Sequence, residues 1–323
     1  MEQNKPNGIW AVVVTYNRLE LLKNNINSIR KQKLRPDTIL VIDNGSTDET
    51  LSWIKLQSDL HVITQPNLGG AGGFYTGFKY AYDNGANWVW AMDDDGVAEE
   101  ETLIHLWNSL NEDIYLVNSI VLAMNSTNRL ASAFAEHFSL TSQVKPVIHY
   151  NLDTLIDKYS NERLVMGLPF FFNSTLIHRY VFEQVGFPNK AFFIRGDEMD
   201  FYYRMLSKDF KVYTNILSKY YHPTTISKEV SFLGKKFFYE SMNSFKFYYH
   251  VRNTYFLRNK YFTKSGIMAL AFYQCLDILV KEIIILMASK VPLKIFWSNI
   301  ITYFKAKKDA KKEWDKLDAN KYW

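Results

Sequence analysis

Trp88-Val89-Trp90-Ala91-Met92-Asp93-Asp94-Asp95-Gly96 is the stretch on which the reading of this chain turns. Apolar residues of strand length run directly into three consecutive carboxylates. The apolar run packs well as a buried strand, whereas neighbouring carboxylates repel one another unless positive charge sits among them. Side chains alternate along extended chain, so Asp93 and Asp95 point the same way and can offer oxygen atoms to one hard divalent cation, Mg2+ or Mn2+. Such an ion keeps coordination places for phosphate oxygens. A solvated acidic turn, or a cap on the next helix near Glu99, is the plainer alternative, and the triplet alone leaves both open.

Length and composition set the limits. A chain of 323 residues suffices for one large domain with an appendage, or for two domains. Hydrophobic residues at 47% and aromatics at 16% imply a globular protein with a sizeable core. The single cysteine, Cys275, excludes an internal disulfide and makes a reducing cytoplasm the default compartment. Met1 to Gly8 is polar and offers no apolar signal segment, so export is not expected. A net charge of +5, spread along the chain, is too small to point to nucleic acid.

Upstream of the triplet, Ile9 to Val14 reads as a strand covered on both faces. Thr15-Tyr16-Asn17-Arg18 is a polar turn, and Leu19, Leu22, Ile26 and Ile29 recur at helical spacing. A second strand spans Thr38 to Ile42. Asp43-Asn44-Gly45-Ser46-Thr47-Asp48 then leads into a helix that Ser46 or Thr47 is expected to cap. A third strand, His61 to Thr64, precedes Asn67-Leu68-Gly69-Gly70-Ala71-Gly72-Gly73, which opens a helix running towards Gly85. Alternating strands and helices predict a doubly wound, mostly parallel α/β sheet flanked by helices. The glycines allow close backbone approach to an anion at the helix start, although no Gly-Lys-Ser/Thr follows and the turn is the third, not the first. In such sheets ligands bind at the carboxyl ends of the strands, where Tyr16, Asp43, the glycine turn and the acidic triplet all fall.

Downstream, Ala98 to Leu110 reads as a helix and Ile114 to Ala123 as a strand, while Asn125 to Glu162 shows no clear period and is expected to form irregular loops. Ser174 to Gln184 resembles a short helix ending at Gly186, and Lys211 to Ile216 a final strand. Phe192-Phe193-Ile194-Arg195-Gly196-Asp197-Glu198 is a second acidic site at a helix start, either a general base in a pocket or a simple cap. His222 is a lone imidazole that suits Mn2+ as a supplementary ligand or serves the core.

In combination, Ala11-Val12-Val13-Val14-Thr15-Tyr16-Asn17-Arg18, Ile42 to Asp48, Asn67 to Gly73, Asp93 to Asp95 and Gly196-Asp197-Glu198 resemble the ordered motifs of family 2 glycosyltransferases with the GT-A fold. The glycine turn followed by Trp-Val-Trp-Ala-Met-Asp-Asp-Asp looks most like galactofuranosyltransferases of bacterial envelope glycans. Related rhamnosyltransferases share an aromatic stretch with Arg-Asn like Tyr248-Tyr249-His250-Val251-Arg252-Asn253. The resemblance implies a UDP-sugar donor held by Thr15, Tyr16, Asn17, Arg18, Asp43, Asn67, Gly69, Gly70, Gly72, Asp93 and Asp94. It also implies Mn2+ or Mg2+ on Asp93, Asp95 and His222, and inverting transfer with Asp197 as base, Glu198 competing for that role. The acceptor it implies is a glycan or lipid-linked glycan such as lipopolysaccharide O-antigen or capsule.

The GT-A domain is expected over residues 1–225 and a C-terminal helical region over residues 226–323. Gly266 to Met287 is apolar but carries Gln274, Asp277, Lys281 and Glu282, which argues against a spanning helix. An interfacial helix fits, followed by a basic tail of Lys305, Lys307, Lys308, Lys311, Lys312 and Lys316 with Trp297, Trp314 and Trp323 as anchors. This places the protein in the cytoplasm, peripheral on the inner face of the membrane; a homo-oligomer interface would use the same apolar surface. The rivals are a rhamnosyltransferase using dTDP-rhamnose, a catalytically silent nucleotide-sugar-binding scaffold, and a nucleotidyltransferase. The last should carry a glycine-rich loop with Arg or Lys where Thr15-Tyr16-Asn17-Arg18 stands.

Overall fold

The structure is a computed structural model that describes residues 8–136, 140, 146–159, 162–224, 227–232, 235–240, 242–262, 279–280, 283–284 and 293–318. The chain divides into two compact units, Met1–Lys190 with Phe201–Thr224, and Ala191–Asp200 with Thr225–Trp323.

In the first unit β1 (Ile9–Thr15), α1 (Leu19–Arg30), β2 (Thr38–Asp43), α2 (Thr50–Lys55), β3 (Leu60–Thr64), α3 (Gly69–Asp83) and β4 (Trp88–Asp93) alternate as expected. The four strands are parallel in the order β3-β2-β1-β4. Register aligns their carboxyl ends, with Thr15 opposite Asp43, Asp43 opposite Thr64 and Val14 opposite Asp93. Leu22, Ile26 and Ile29 of α1 are fully buried with Ile9, Ala11, Val13 and Trp90, so the helical stripe covers one face of the sheet.

Beyond β4 the sheet becomes mixed. β5 (Val97–Ala98), α4 (Thr102–Trp107), β6 (Leu116–Ala123), β7 (Arg129–Glu136), β8 (Val147–Asn151), α5 (Leu152–Lys158), β9 (Leu164–Leu168), β10 (Thr175–His178), α6 (Arg179–Val185), α7 (Asp197–Leu206) and β11 (Tyr213–His222) follow. β10 lies antiparallel between β4 and β6, and β11 runs parallel to β6.

Several sequence expectations are corrected here. Asn125 to Glu162 is not irregular: it holds β7, β8 and α5, whose Leu130, Phe134, Leu152 and Leu155 share a small core with Ile120 and Ile216. Its loop-like polarity comes partly from Glu136, which is fully buried yet accepts hydrogen bonds from Lys158 at 2.6 and 2.8 Å and from Tyr159, with His149 Nε2 2.8 Å away. The expected helix at Ser174 begins instead as strand β10, because Thr175 to Ile177 find partners on both sides. Val97 and Ala98 pair with Tyr221 and Tyr220, delaying α4 to Thr102. Neither Ser46 nor Thr47 caps α2; Asp48 Oδ1 accepts from the Thr50 amide at 3.0 Å.

In the second unit, α8 (Ser244–Tyr261) is capped by Asn243, and its Phe247 and Val251 bury against Tyr303 and Ala306 of the helix Leu293–Lys312. The apolar run Gly266 to Met287 lies largely outside the described residues, as does Trp323.

The glycines of α3 mostly serve packing. A Cβ on Gly73 would lie 2.3 Å from Val14 Cγ1, and one on Gly77 2.5 Å from Val12 Cγ1, so both let the helix lie against β1. Gly70 faces open space. Gly73→Ala is therefore expected to cost about 1–3 kcal/mol in urea unfolding. Gly70→Ala should leave stability unchanged or raise it by less than about 1 kcal/mol.

Candidate functional site

The acidic turn sits where β4 ends, and each carboxylate meets a different environment. Asp94 is buried; its Oδ2 accepts from Thr15 Oγ1 at 2.7 Å and its Oδ1 from Arg18 Nη1 at 3.1 Å. Asp95 Oδ2 accepts from the same Arg18 nitrogen at 2.8 Å. On the other side His222 Nε2 approaches Asp95 Oδ1 at 3.0 Å, and the His222 Nδ1–H donates to the Pro223 carbonyl at 2.7 Å. A carbonyl only accepts, so Nδ1 carries the proton and Nε2 is directed at the acidic pair. One ligand atom each from Asp93, Asp95 and His222 lies within 4.8 Å of the others.

The turn is shaped from behind. Asn25 Nδ2 of α1 donates to the Asp93 and Gly96 carbonyls at 3.2 and 2.9 Å. Tyr220 is fully buried, and a Cβ on Gly96 would come within 2.2 Å of its ring, so only glycine fits there. Sequence reading missed both Asn25 and Tyr220. The signal for Asn25 was present, since a polar residue stands on the buried stripe of Leu22, Ile26 and Ile29.

Electrostatics show the crowding. Burial, then repulsion from Asp95, pushes Asp93 up to about 7; burial likewise lifts Asp94 to about 6, Arg18 opposing it. Burial also acts upward on Asp95, but His222 and Arg18 outweigh it and hold that carboxyl below its usual range. Burial acts to lower His222, yet the Asp95 contact and charge raise it overall. Asp95 Oδ1 is buried without a well-aligned hydrogen bond despite the nearby imidazole. An orphaned oxygen, a second carboxylate that burial and then repulsion push upward and one oriented imidazole form a donor set that fits a divalent ion such as Mn2+.

The neighbouring loops are stitched together. Asn17, at φ 53°, accepts from the Thr47 amide through Oδ1 at 2.7 Å and donates its own amide to Ser46 Oγ at 2.9 Å. Asp43 is buried and its carboxylate accepts from the Ser46 amide at 3.1 and 3.3 Å. Asn67 Oδ1 accepts from the Gly69 amide at 2.9 Å, Gly69 has φ 73°, and Asn44 Nδ2 donates to the Gly69 carbonyl at 3.0 Å. Of these loop residues Tyr16 is exposed, and Gly72 packs against Leu68.

Asp197 and Glu198 lie on the segment grouped with the second unit. Asp197 is buried at the start of α7, while Glu198 Oε2 folds back to accept from the Gly196 amide at 3.0 Å. The preceding loop is strained: Phe193, Arg195 and Gly196 have φ of 64°, 65° and 93°. The two non-glycine residues each pay about 1–2 kcal/mol for the left-handed conformation.

Residues 10–161 match the family model described as glycosyl transferase family 2. The chain carries a family 2 glycosyltransferase domain. Over 233 residues it is 28% identical to galactofuranosyltransferase GlfT1 of Mycolicibacterium smegmatis, covering 70% of this chain and 74% of that one. It is 40% identical over 60 residues to O-antigen chain rhamnosyltransferase RfbN of Salmonella typhimurium, covering 19% and 18% of the two chains. This glycosyltransferase also shares its GT-A fold with GalNAc-T7, whose crystal structure holds UDP, GalNAc and Mn2+. The TM-score is 0.56 and the identity 14%, over 78% of this chain and about half, 48%, of that one.

The pH dependence of the acidic site follows in sign. The raised Asp93 contributes stability that is fully present below its ordinary 3.8 and is lost as pH rises through about 7. Above that value the site is doubly charged and most receptive to a cation. Mn2+ is expected to raise the melting temperature more at pH 8 than at pH 6, and Asp95→Ala to abolish the rise at both; differential scanning fluorimetry checks this.

Proposed function

We propose that the protein is a metal-dependent, inverting galactofuranosyltransferase that uses UDP-galactofuranose to extend a bacterial cell-surface glycan, either lipopolysaccharide O-antigen, capsule or a similar polymer. The observation that carries this reading is the convergence of Asp93, Asp95 and His222 beside Arg18 at the carboxyl end of β4. The similarity to galactofuranosyltransferases over 70% of the chain supports the choice of sugar. A second reading, transfer of rhamnose from dTDP-rhamnose, draws on the shorter match to a rhamnosyltransferase.

In this reading Thr15 to Arg18, Asp43, Asn67, Gly69, Gly70 and Gly72 line the nucleotide, Gly70 being the glycine with free space around it. Asp94, locked by Thr15 and Arg18, fixes the wall of the donor site. Asp93, Asp95 and His222 would hold Mn2+ or Mg2+, whose positive charge would offset the negative charge of the departing diphosphate. The acceptor hydroxyl oxygen forms the new bond to the anomeric carbon while the bond to UDP breaks and its electron pair leaves with the diphosphate. The hydroxyl proton passes to the Asp197 carboxylate. One displacement inverts the anomeric centre, so no enzyme nucleophile is needed. Glu198, whose carboxylate accepts from the Gly196 amide, is the competing candidate for base.

A lipid-linked acceptor agrees with the C-terminal helix Leu293–Lys312. One face packs on α8 through Tyr303 and Ala306, while Trp297, Ile301 and Phe304 are 59%, 65% and 58% exposed. Exposed Lys294, Lys305, Lys308, Lys311 and Lys312 flank them. An apolar stripe bordered by lysines suits the anionic inner surface of a cytoplasmic membrane. Among the described residues no helix is long and apolar enough to cross one.

Calorimetric titration is expected to show UDP binding that requires Mn2+ and exceeds dTDP binding; preference for dTDP would move the assignment to rhamnose. Asp197→Asn should retain Mn2+-dependent UDP binding and lose at least about 10²-fold in turnover. Near-normal turnover would shift the base to Glu198. Ile301→Ser with Phe304→Ser should reduce sedimentation with phosphatidylglycerol vesicles without altering UDP affinity.

A further inference from the structure

We propose that Arg252 and Asn253 are positioning residues that aim the Asp197 carboxylate by clamping the backbone that precedes it; the inference rests on the reading of Asp197 as base. Asn253 is buried on α8, and its Nδ2 donates to the carbonyls of Phe192, Ile194 and Arg195 at 3.0, 3.0 and 2.6 Å. Arg252, also buried, donates through Nη2 to the carbonyls of Ala191 and Phe192 at 2.7 and 3.1 Å. Its Nε donates to Asn253 Oδ1 at 2.9 Å, which fixes which way the amide faces. Its Nη1 donates to Glu313 Oε2 at 3.0 Å, so the guanidinium is itself held.

Two adjacent side chains thus satisfy four carbonyls in a run of five residues, Ala191 to Arg195. That run contains the left-handed Phe193 and Arg195 and leads through Gly196 directly into Asp197. Left-handed non-glycine residues persist only where surrounding contacts over-determine them. A relaxed loop would return Phe193 and Arg195 to ordinary dihedrals and swing the first residue of α7. Gly196 completes the arrangement, since a Cβ there would lie 3.3 Å from Asn253 Cβ and 3.2 Å from Leu257 Cδ1 while its φ of 93° already disfavours any side chain. Phe192 and Phe256 close the loop from the apolar side, their ring centroids 5.8 Å apart. These contacts, three shared by the two protons of the Asn253 amide and two from Arg252, all converge on the approach to a single carboxylate, which points to control of its direction.

The test measures UDP release from UDP-galactofuranose with Mn2+, water serving as the acceptor. Asn253→Ala is expected to lower kcat about 10²-fold while KM for the donor and calorimetric UDP affinity stay within about twofold. The double variant Asp197→Asn with Asn253→Ala should be no slower than Asp197→Asn alone, because the amide acts only through that carboxylate. Unchanged kcat in Asn253→Ala overturns the proposal. So does further slowing in the double variant, or loss of UDP affinity in parallel with kcat, since either marks a general structural role. Arg252→Lys keeps the positive charge facing Glu313 and loses the planar fork; it is expected to show the same kcat-selective loss and replaces Asn253→Ala if that variant does not fold. Failure of both to fold makes the pair a structural anchor and overturns the proposal. Near-normal turnover of Asp197→Asn alone refutes the assignment of the base, an outcome read without reference to Asn253.

Discussion

Mutual repulsion among three adjacent carboxylates at the mouth of a buried strand is the constraint around which the first unit is arranged. The chain answers each charge differently. Asp94 receives a hydroxyl and a guanidinium, Asp95 shares that guanidinium and faces an imidazole, and Asp93 is left high at about 7. Full neutralisation by protein groups alone would need another fixed cation beside Asp93. The residual imbalance is what makes the cluster receptive to a divalent ion. It also explains why Asn25 and Tyr220, neither of which carries charge, brace the turn from the rear: a crowded turn must be prevented from relaxing by moving its backbone.

Sheet register converts this local arrangement into a site. Because Thr15, Asp43, Thr64 and Asp93 end their strands at adjacent positions, the loops that follow gather along one edge. The side chains within those loops are largely committed to one another, as Asn17 with Thr47, Asp43 with Ser46 and Asn44 with Gly69 show. Such loops are held in place before any ligand arrives, which lowers the ordering cost of binding. The glycines contribute indirectly: Gly73 and Gly77 bring α3 close to β1, and this fixes where the helix start at Gly69 lies.

Much of this was legible in the sequence wherever signals were local. Periodicity placed the first four strands and α1, and the triplet marked Asp93 and Asp95 as a pair, although β4 ends at Asp93 and it is a turn, not strand alternation, that brings their oxygens together. What the sequence concealed depended on pairing at a distance. β10 reads as helix until β4 and β6 are seen on either side of it, and β7 and β8 look like loop because a buried Glu136 with three polar neighbours mimics solvated chain. Local composition shows that small residues are required along the start of α3, and packing alone reveals that at Gly73 and Gly77 the requirement comes from Val14 and Val12. Tyr220 was invisible for the same reason, since its contact with Gly96 spans more than a hundred residues.

A scaffold that retained the fold and lost the chemistry would have little use for what both units preserve. An uncharged side chain at 93 would relieve burial and repulsion at once, because a poorly compensated buried charge is a poor source of stability. In the second unit, ordinary dihedrals at Phe193 and Arg195 would release strain and free Arg252 and Asn253 from their carbonyls. One departure from the most stable arrangement falls on the carboxylate of Asp93, and the other on the two residues, Phe193 and Arg195, that lead into Asp197. Strain and charge crowding maintained at those places, in a chain carrying a family 2 glycosyltransferase domain, favour working chemistry over a silent binding role.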